Sequence, residues 1–102
     1  MDRTQVISKL PRHLKILSNG VDISAKFGVD TVKYNDDGTA WRTFRDGRSE
    51  KGTWRFLNKE QTQMEVVLPQ GASRWLILEL HDDVFRKANL ETGAEFIYSP
   101  AN

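Results

Sequence analysis

The sequence contains no cysteine, which excludes disulfides, thiolate metal sites and a cysteine nucleophile, and fits a reducing compartment. Histidine is almost as scarce. Of the two residues, His81 is followed by Asp82 and Asp83, the one cluster with the look of metal-ligand chemistry, and His13 is the only other imidazole. Three adjacent residues of an extended chain cannot all point at one ion, so no metal site is expected. Asp36-Asp37-Gly38 lacks the spaced acidic ligands and terminal glutamate of a calcium loop. No glycine-rich phosphate cradle opens a helix, and no Ser-His-Asp arrangement has a recognisable local context. Neither an enzyme nor a cofactor is expected. No apolar run approaches the roughly 20 residues of a membrane span, and Met1 to Pro11 lacks the apolar stretch of a signal peptide. The expectation is a cytoplasmic protein with no membrane partner. A net charge of only +1 argues against polyanion binding by the molecule as a whole.

What is present is an ordinary globular composition: 38% hydrophobic and 28% charged residues in a chain of 102, enough for one domain over 1–102 and no second core. Charge is unevenly spread. Residues 41–59 carry six cations against two anions, and residues 76–102 carry two against five. Opposite charges facing each other across strands are the plain reading of that asymmetry.

Turn signals recur along the chain at close spacing. Asn19-Gly20, Asp37-Gly38, Asp46-Gly47, Pro69-Gln70-Gly71, His81-Asp82-Asp83 and Glu91-Thr92-Gly93 each mark a reversal. Between them the pattern has a period of two. Val21, Ile23, Ala25 and Phe27 alternate with polar residues and predict a strand, broken at Gly28. Further strands are predicted over 29–35, 39–45, 50–57, 62–68, 74–80, 84–88 and 94–98. The 74–80 segment is apolar on both faces, which predicts a central position or a second layer. Asp2 is a candidate N-cap for a short helix that Pro11 ends, so residues 1–12 read as an N-terminal helix or arm. The 13–17 segment is strand or a further helical turn. The fold class is all-β: an up-and-down antiparallel meander of seven to nine short strands, because consecutive hairpins with closure remove exposed edges.

The order of these segments resembles small bacterial lipocalin-like domains. The hairpin Thr31-Val32-Lys33-Tyr34-Asn35-Asp36-Asp37-Gly38-Thr39 is similar to their Asp-Gly-Thr turn. Gly52-Thr53-Trp54-Arg55-Phe56 resembles their Gly-Thr-Trp strand opening, and Leu80-His81-Asp82-Asp83 their Leu-x-Asp-Asp turn. The resemblance spans residues 29–87, without the early Gly-x-Trp, since no tryptophan precedes Trp41. It implies a small closed or partly open barrel with any ligand in its mouth.

The leading functional expectation is a non-catalytic module binding a small apolar or aromatic molecule in the concave face. Tyr34, Trp41, Trp54, Phe56, Met64 and Leu76 are the expected lining. Alternatives are an interaction role as a homodimer, in which a half-barrel completes its core across a two-fold axis, and single-stranded nucleic-acid binding. For the latter, Arg42, Arg45, Arg48 and Arg55 interleave with aromatic residues, although nucleic acid is not the favoured partner. Glu79 is the one candidate acid or base, in an apolar strand whose burial would raise its pKa.

Overall fold

Short turns leave each extended segment no route but back along its predecessor, and the outcome is an antiparallel barrel. The computed structural model describes residues 2–101. Helix α1 (Arg3–Ser8) precedes β1 (Arg12–Ser18), β2 (Val21–Asp22), β3 (Val29–Tyr34), β4 (Thr39–Phe44) and β5 (Ser49–Phe56). Then follow β6 (Gln63–Leu68), β7 (Gly71–Leu80), β8 (Phe85–Asn89) and β9 (Glu95–Pro100). From β3 onward each strand pairs with the next, and β1 pairs with both β3 and β9. The β1–β9 ladder aligns Leu14 with Tyr98 and Ile16 with Phe96 and closes an eight-stranded barrel. The two-residue β2 is an appendage on β1. Closure occurs within one chain, so the core needs no second copy to complete it.

Local chemistry explains the reversals. Asn19 and Gly20 have φ of 50° and 78°, the paired left-handed geometry of a type I′ hairpin turn. Asp37 Oδ1 accepts from the Thr39 amide at 2.9 Å and from its hydroxyl at 2.6 Å, so this side chain substitutes for backbone partners in the turn. The same device overrides the strand expected over 21–27. Asp22 Oδ1 accepts from both the Ser24 amide and hydroxyl, and Ser24 Oγ accepts from the Ile16 amide at 2.8 Å. The chain therefore leaves β2 after Asp22 and coils into a 3₁₀ turn at Ser24–Lys26. Local side-chain hydrogen bonds defeat a period-two pattern here.

The expected second layer is also absent among the described residues. Strand β7 alternates over residues 75–78: Trp75 and Ile77 are buried inside the barrel, whereas Leu76 and Leu78 are 36% and 44% exposed on its outer wall. Cross-strand ion pairs cover other parts of that wall, Arg55 with Glu65, and Arg86 with Glu79 and Glu95.

Inside, one hydrophobic cluster runs from Ile7 of α1 to Tyr98 of β9. Asp2 caps α1 by accepting from the Thr4 amide at 2.9 Å, and Ile7 is fully buried. The helix's free carbonyls meet cations from the barrel. Arg12 Nη2 donates to Val6 O at 3.0 Å and Lys33 Nζ to Ser8 O at 2.6 Å. A six-residue helix is too short to persist alone; these contacts dock it.

Gly52 marks the closest approach in the wall. A β-carbon there would lie 2.8 Å from Leu68 Cδ2 and nearer still to the Val67 carbonyl oxygen, and backbone cannot yield as a side-chain tip can. Gly52→Ala is expected to destabilise the fold by about 1–3 kcal/mol, read as a lower urea midpoint at unchanged slope.

Candidate functional site

Strand alternation decides which side chains share the interior, and on β8 it sends Phe85 and Lys87 inward together. Lys87 is 1% exposed. Its ammonium lies 3.8 Å from the centroid of the Trp75 ring and 5.4 Å from those of Phe96 and Tyr98. Its hydrogen-bond partner is the Tyr34 hydroxyl at 3.1 Å, which is itself 2.8 Å from the Tyr98 hydroxyl. Burial holds the Lys87 amine well below its ordinary pKa, and the nearby Arg42 adds to the effect. Burial likewise pushes the Tyr34 phenol up to about 12 and Tyr98 well above its ordinary value.

This triad stands at the wall of an interior cavity. Leu14, Val32, Trp75, Phe96 and Leu68 give it apolar surface, and Lys87, Tyr34, Tyr98 and Arg42 give it polar groups. Its partly exposed members, Arg42, Leu68, Ser73 and Phe96, mark the side that opens to solvent. The free space is about 30 Å³, room for one or two waters. A larger occupant enters only if those partly exposed side chains swing outward.

Arg42 points inward because it shares a face with Ala40. Its Nε donates to Glu50 at 3.0 Å and a second nitrogen bonds the same oxygen. Arg42 and Arg48 gather around the Phe44 ring, at 5.5 and 4.8 Å from its centroid, and Arg48 pairs with Asp46. Arg55 pairs with Glu65 on the outer wall, and Arg45 is exposed in the turn after β4. Three of the four arginines considered for nucleic acid thus already hold carboxylates, and Arg55 does not join Arg42 and Arg48.

Of the residues expected to line a pocket, Tyr34 does so. Trp54, Phe56 and Met64 are inside the barrel but fill it beside the cavity: Trp54 sits edge-on to Tyr34 and Phe56, and its indole N–H donates to Asn35 O at 2.8 Å. Trp41 and Leu76 lie on the outer wall, 41% and 36% exposed, on the opposite face of their strands from the cavity. Glu79 also differs from expectation. A bulge between Ile77 and Glu79 breaks the alternation and turns Glu79 outward to His81 and Arg86. Its pKa is lowered, chiefly by the His81 hydrogen bond and then by Arg86, the reverse of what burial would have done. Lys87, Phe96 and Tyr98 line the cavity without having been among the expected residues. Counting by twos from Phe85 finds Lys87, and counting back from Ile77 finds Trp75.

This fold has a counterpart among solved structures. A lipocalin-like protein from Bacteroides uniformis superposes with a TM-score of 0.65, over 90% of this chain and 96% of that one. The fold is lipocalin-like. Sequence identity is only 13%, so the likeness of these two lipocalin-like chains is one of architecture. No family model and no curated protein matches the sequence. No helix among the described residues of this lipocalin-like barrel is long and apolar enough to cross a membrane.

The buried triad sets the alkaline stability profile. Between the lowered folded pKa of Lys87 and its ordinary 10.5, the unfolded chain holds a proton that the folded one releases, so stability rises with pH. Above 10 the unfolded tyrosines lose protons that the folded ones keep up to about 12, so stability falls. Urea midpoints are expected to climb with pH between the lowered folded pKa of Lys87 and about 10, and to drop beyond it. Lys87→Met should raise the midpoint at neutral pH, abolish the climb and keep the drop.

Proposed function

We propose that the protein is a non-catalytic binding module for a small molecule with an apolar or aromatic body, taken up inside the barrel between Trp75, Phe96, Leu14, Val32 and Leu68. The observation that supports this most is the form of the cavity: an apolar pocket with a few convergent polar groups, the usual make-up of a ligand site. It sits in a barrel otherwise filled by its own side chains. The partly exposed Leu68 and Phe96 supply the movable side through which a ligand displaces water. The lipocalin-like architecture supports the same reading, since barrels of this size leave room for one small ligand at most.

Titration of the labelled protein with a neutral aromatic probe, 2-naphthalenemethanol, tests the proposal by amide chemical shifts. Perturbations are expected at Leu14, Val32, Leu68, Trp75 and Phe96, together with a change in tryptophan emission. Leu68→Trp, which fills the partly exposed side, should weaken binding about tenfold or more, the cost of losing one well-packed contact region. Shifts confined to the outer wall around Trp41, Leu76 and Leu78 would overturn the reading.

A further inference from the structure

The interior of the barrel is unbalanced in charge and in hydrogen-bond donors, at Arg12, whose Nε has no partner among the described residues, and around Lys87. Besides the two phenols, Arg12, Arg42 with its partner Glu50, and Lys87 turn inward among the described residues. Arg12 donates to the carbonyls of Val6 and Asp82, and Arg42 is paired with Glu50. Lys87 faces no carboxylate: Tyr34 on β3, Tyr98 and Phe96 on β9, Trp75 on β7 and Arg42 on β4 surround it.

Donor accounting sharpens the point. A charged lysine has three N–H donors and no acceptor, and each phenol has one O–H. Lys87 donates to the Tyr34 oxygen, and one of the two phenols donates to the other. With Lys87 charged, two of its N–H groups and one phenolic O–H then lack a conventional acceptor; the lysine hydrogens face aromatic rings instead. In that form the cavity wall carries spare donors and a cation with no carboxylate beside it, in a place where an unmatched charge is costly.

We propose that the occupant of this cavity is a small organic carboxylate, its head group held by Lys87 and Tyr98 and its apolar or aromatic body lying against Trp75, Phe96 and Leu68. The proposal rests on the cavity being a ligand site and adds the chemistry of the ligand. A carboxylate offers lone pairs to every spare donor and also the missing negative charge. An alcohol accepts fewer hydrogen bonds and leaves Lys87 uncompensated. An amine adds a further positive charge beside Lys87 and Arg42. Burial lowers the Lys87 pKa in the empty barrel and a bound carboxylate raises it again, so binding is coupled to proton uptake and the affinity for the acid falls as pH rises.

Three matched probes test this: 2-naphthoate, 2-naphthalenemethanol and 2-naphthylmethylamine, titrated calorimetrically near neutral pH into the wild-type protein, Lys87→Met and Tyr98→Phe. Wild type is expected to bind the acid about tenfold or more tighter than the alcohol, the worth of one charge-assisted hydrogen bond, and to bind the amine weakest. Lys87→Met should lose about tenfold for the acid while holding the alcohol within about twofold. Tyr98→Phe should show a smaller loss confined to the acid. Repeating the acid titration in buffers of different ionisation enthalpy should reveal proton uptake in wild type and none in Lys87→Met.

Equal affinity for acid and alcohol in wild type, or an unchanged acid affinity in folded Lys87→Met, would overturn the carboxylate and leave the pocket standing. Binding of none of the three probes would remove both proposals. Should Lys87→Met fail to fold, the Tyr98→Phe comparison and the proton uptake of wild type decide the matter alone.

Discussion

Everything inside this molecule depends on the pairing of β1 with β9. Six register pairs from Arg12–Pro100 to Leu17–Glu95 turn an open meander into a cylinder. Before that ladder forms, the inward faces of β7, β8 and β9 are one side of a sheet; afterwards they enclose an interior. Closure also removes both long edges, which a meander of this length would otherwise expose to other chains. An eight-stranded cylinder is just wide enough for side chains to meet across its axis, so each inward residue touches partners from distant strands. Tyr34 of β3 reaching Tyr98 of β9, and Lys87 of β8 reaching Tyr34, are consequences of that width.

The aromatic packing follows from the same confinement. Phe85 stacks on Tyr98 at 4.9 Å, and Tyr34 meets Trp54, Phe85 and Tyr98 edge to face. Rings in these geometries fix one another's orientation, and the two hydroxyls are thereby held within hydrogen-bond distance. The rigid aromatic half of the barrel positions the polar atoms. The partly exposed half, with Leu68, Phe96 and Arg42, leaves the space beside them.

The hairpins were legible because their turns carry their own chemistry: Asp37-Gly38-Thr39 and Asn19-Gly20 dictate reversals from short-range hydrogen bonds and left-handed φ values. Failures came where a local rule met a competitor. At Asp22 and Ser24, side-chain hydrogen bonds won over alternation. At Ile77–Glu79 a bulge shifted the phase, and no residue type announces a bulge of that kind. Leu76 and Trp41 show a different limit. Period two separates a strand's faces without saying which is inside, and a large apolar residue outside offends no strong physical rule. The β1–β9 closure joins residues about 80 positions apart (Leu17 with Glu95, Arg12 with Pro100), beyond the reach of any local signal. Lys87 was readable by phase from Phe85, but its residue type argues for the surface.

Two buried basic side chains answer to different demands. Arg12 is fully buried, and the helix that covers it supplies a backbone oxygen: its guanidinium ties Val6 to the barrel, although its Nε has no partner among the described residues. Lys87 is as deeply buried, yet it ties nothing together that Phe85, Tyr98 and Trp75 do not already hold. An apolar side chain of similar length would fill its volume without the desolvation that depresses its pKa. A buried basic side chain that burial penalises and that ties no element down is what the proposed carboxylate site requires. On that proposal, the cavity at its tip is where the penalty is offset.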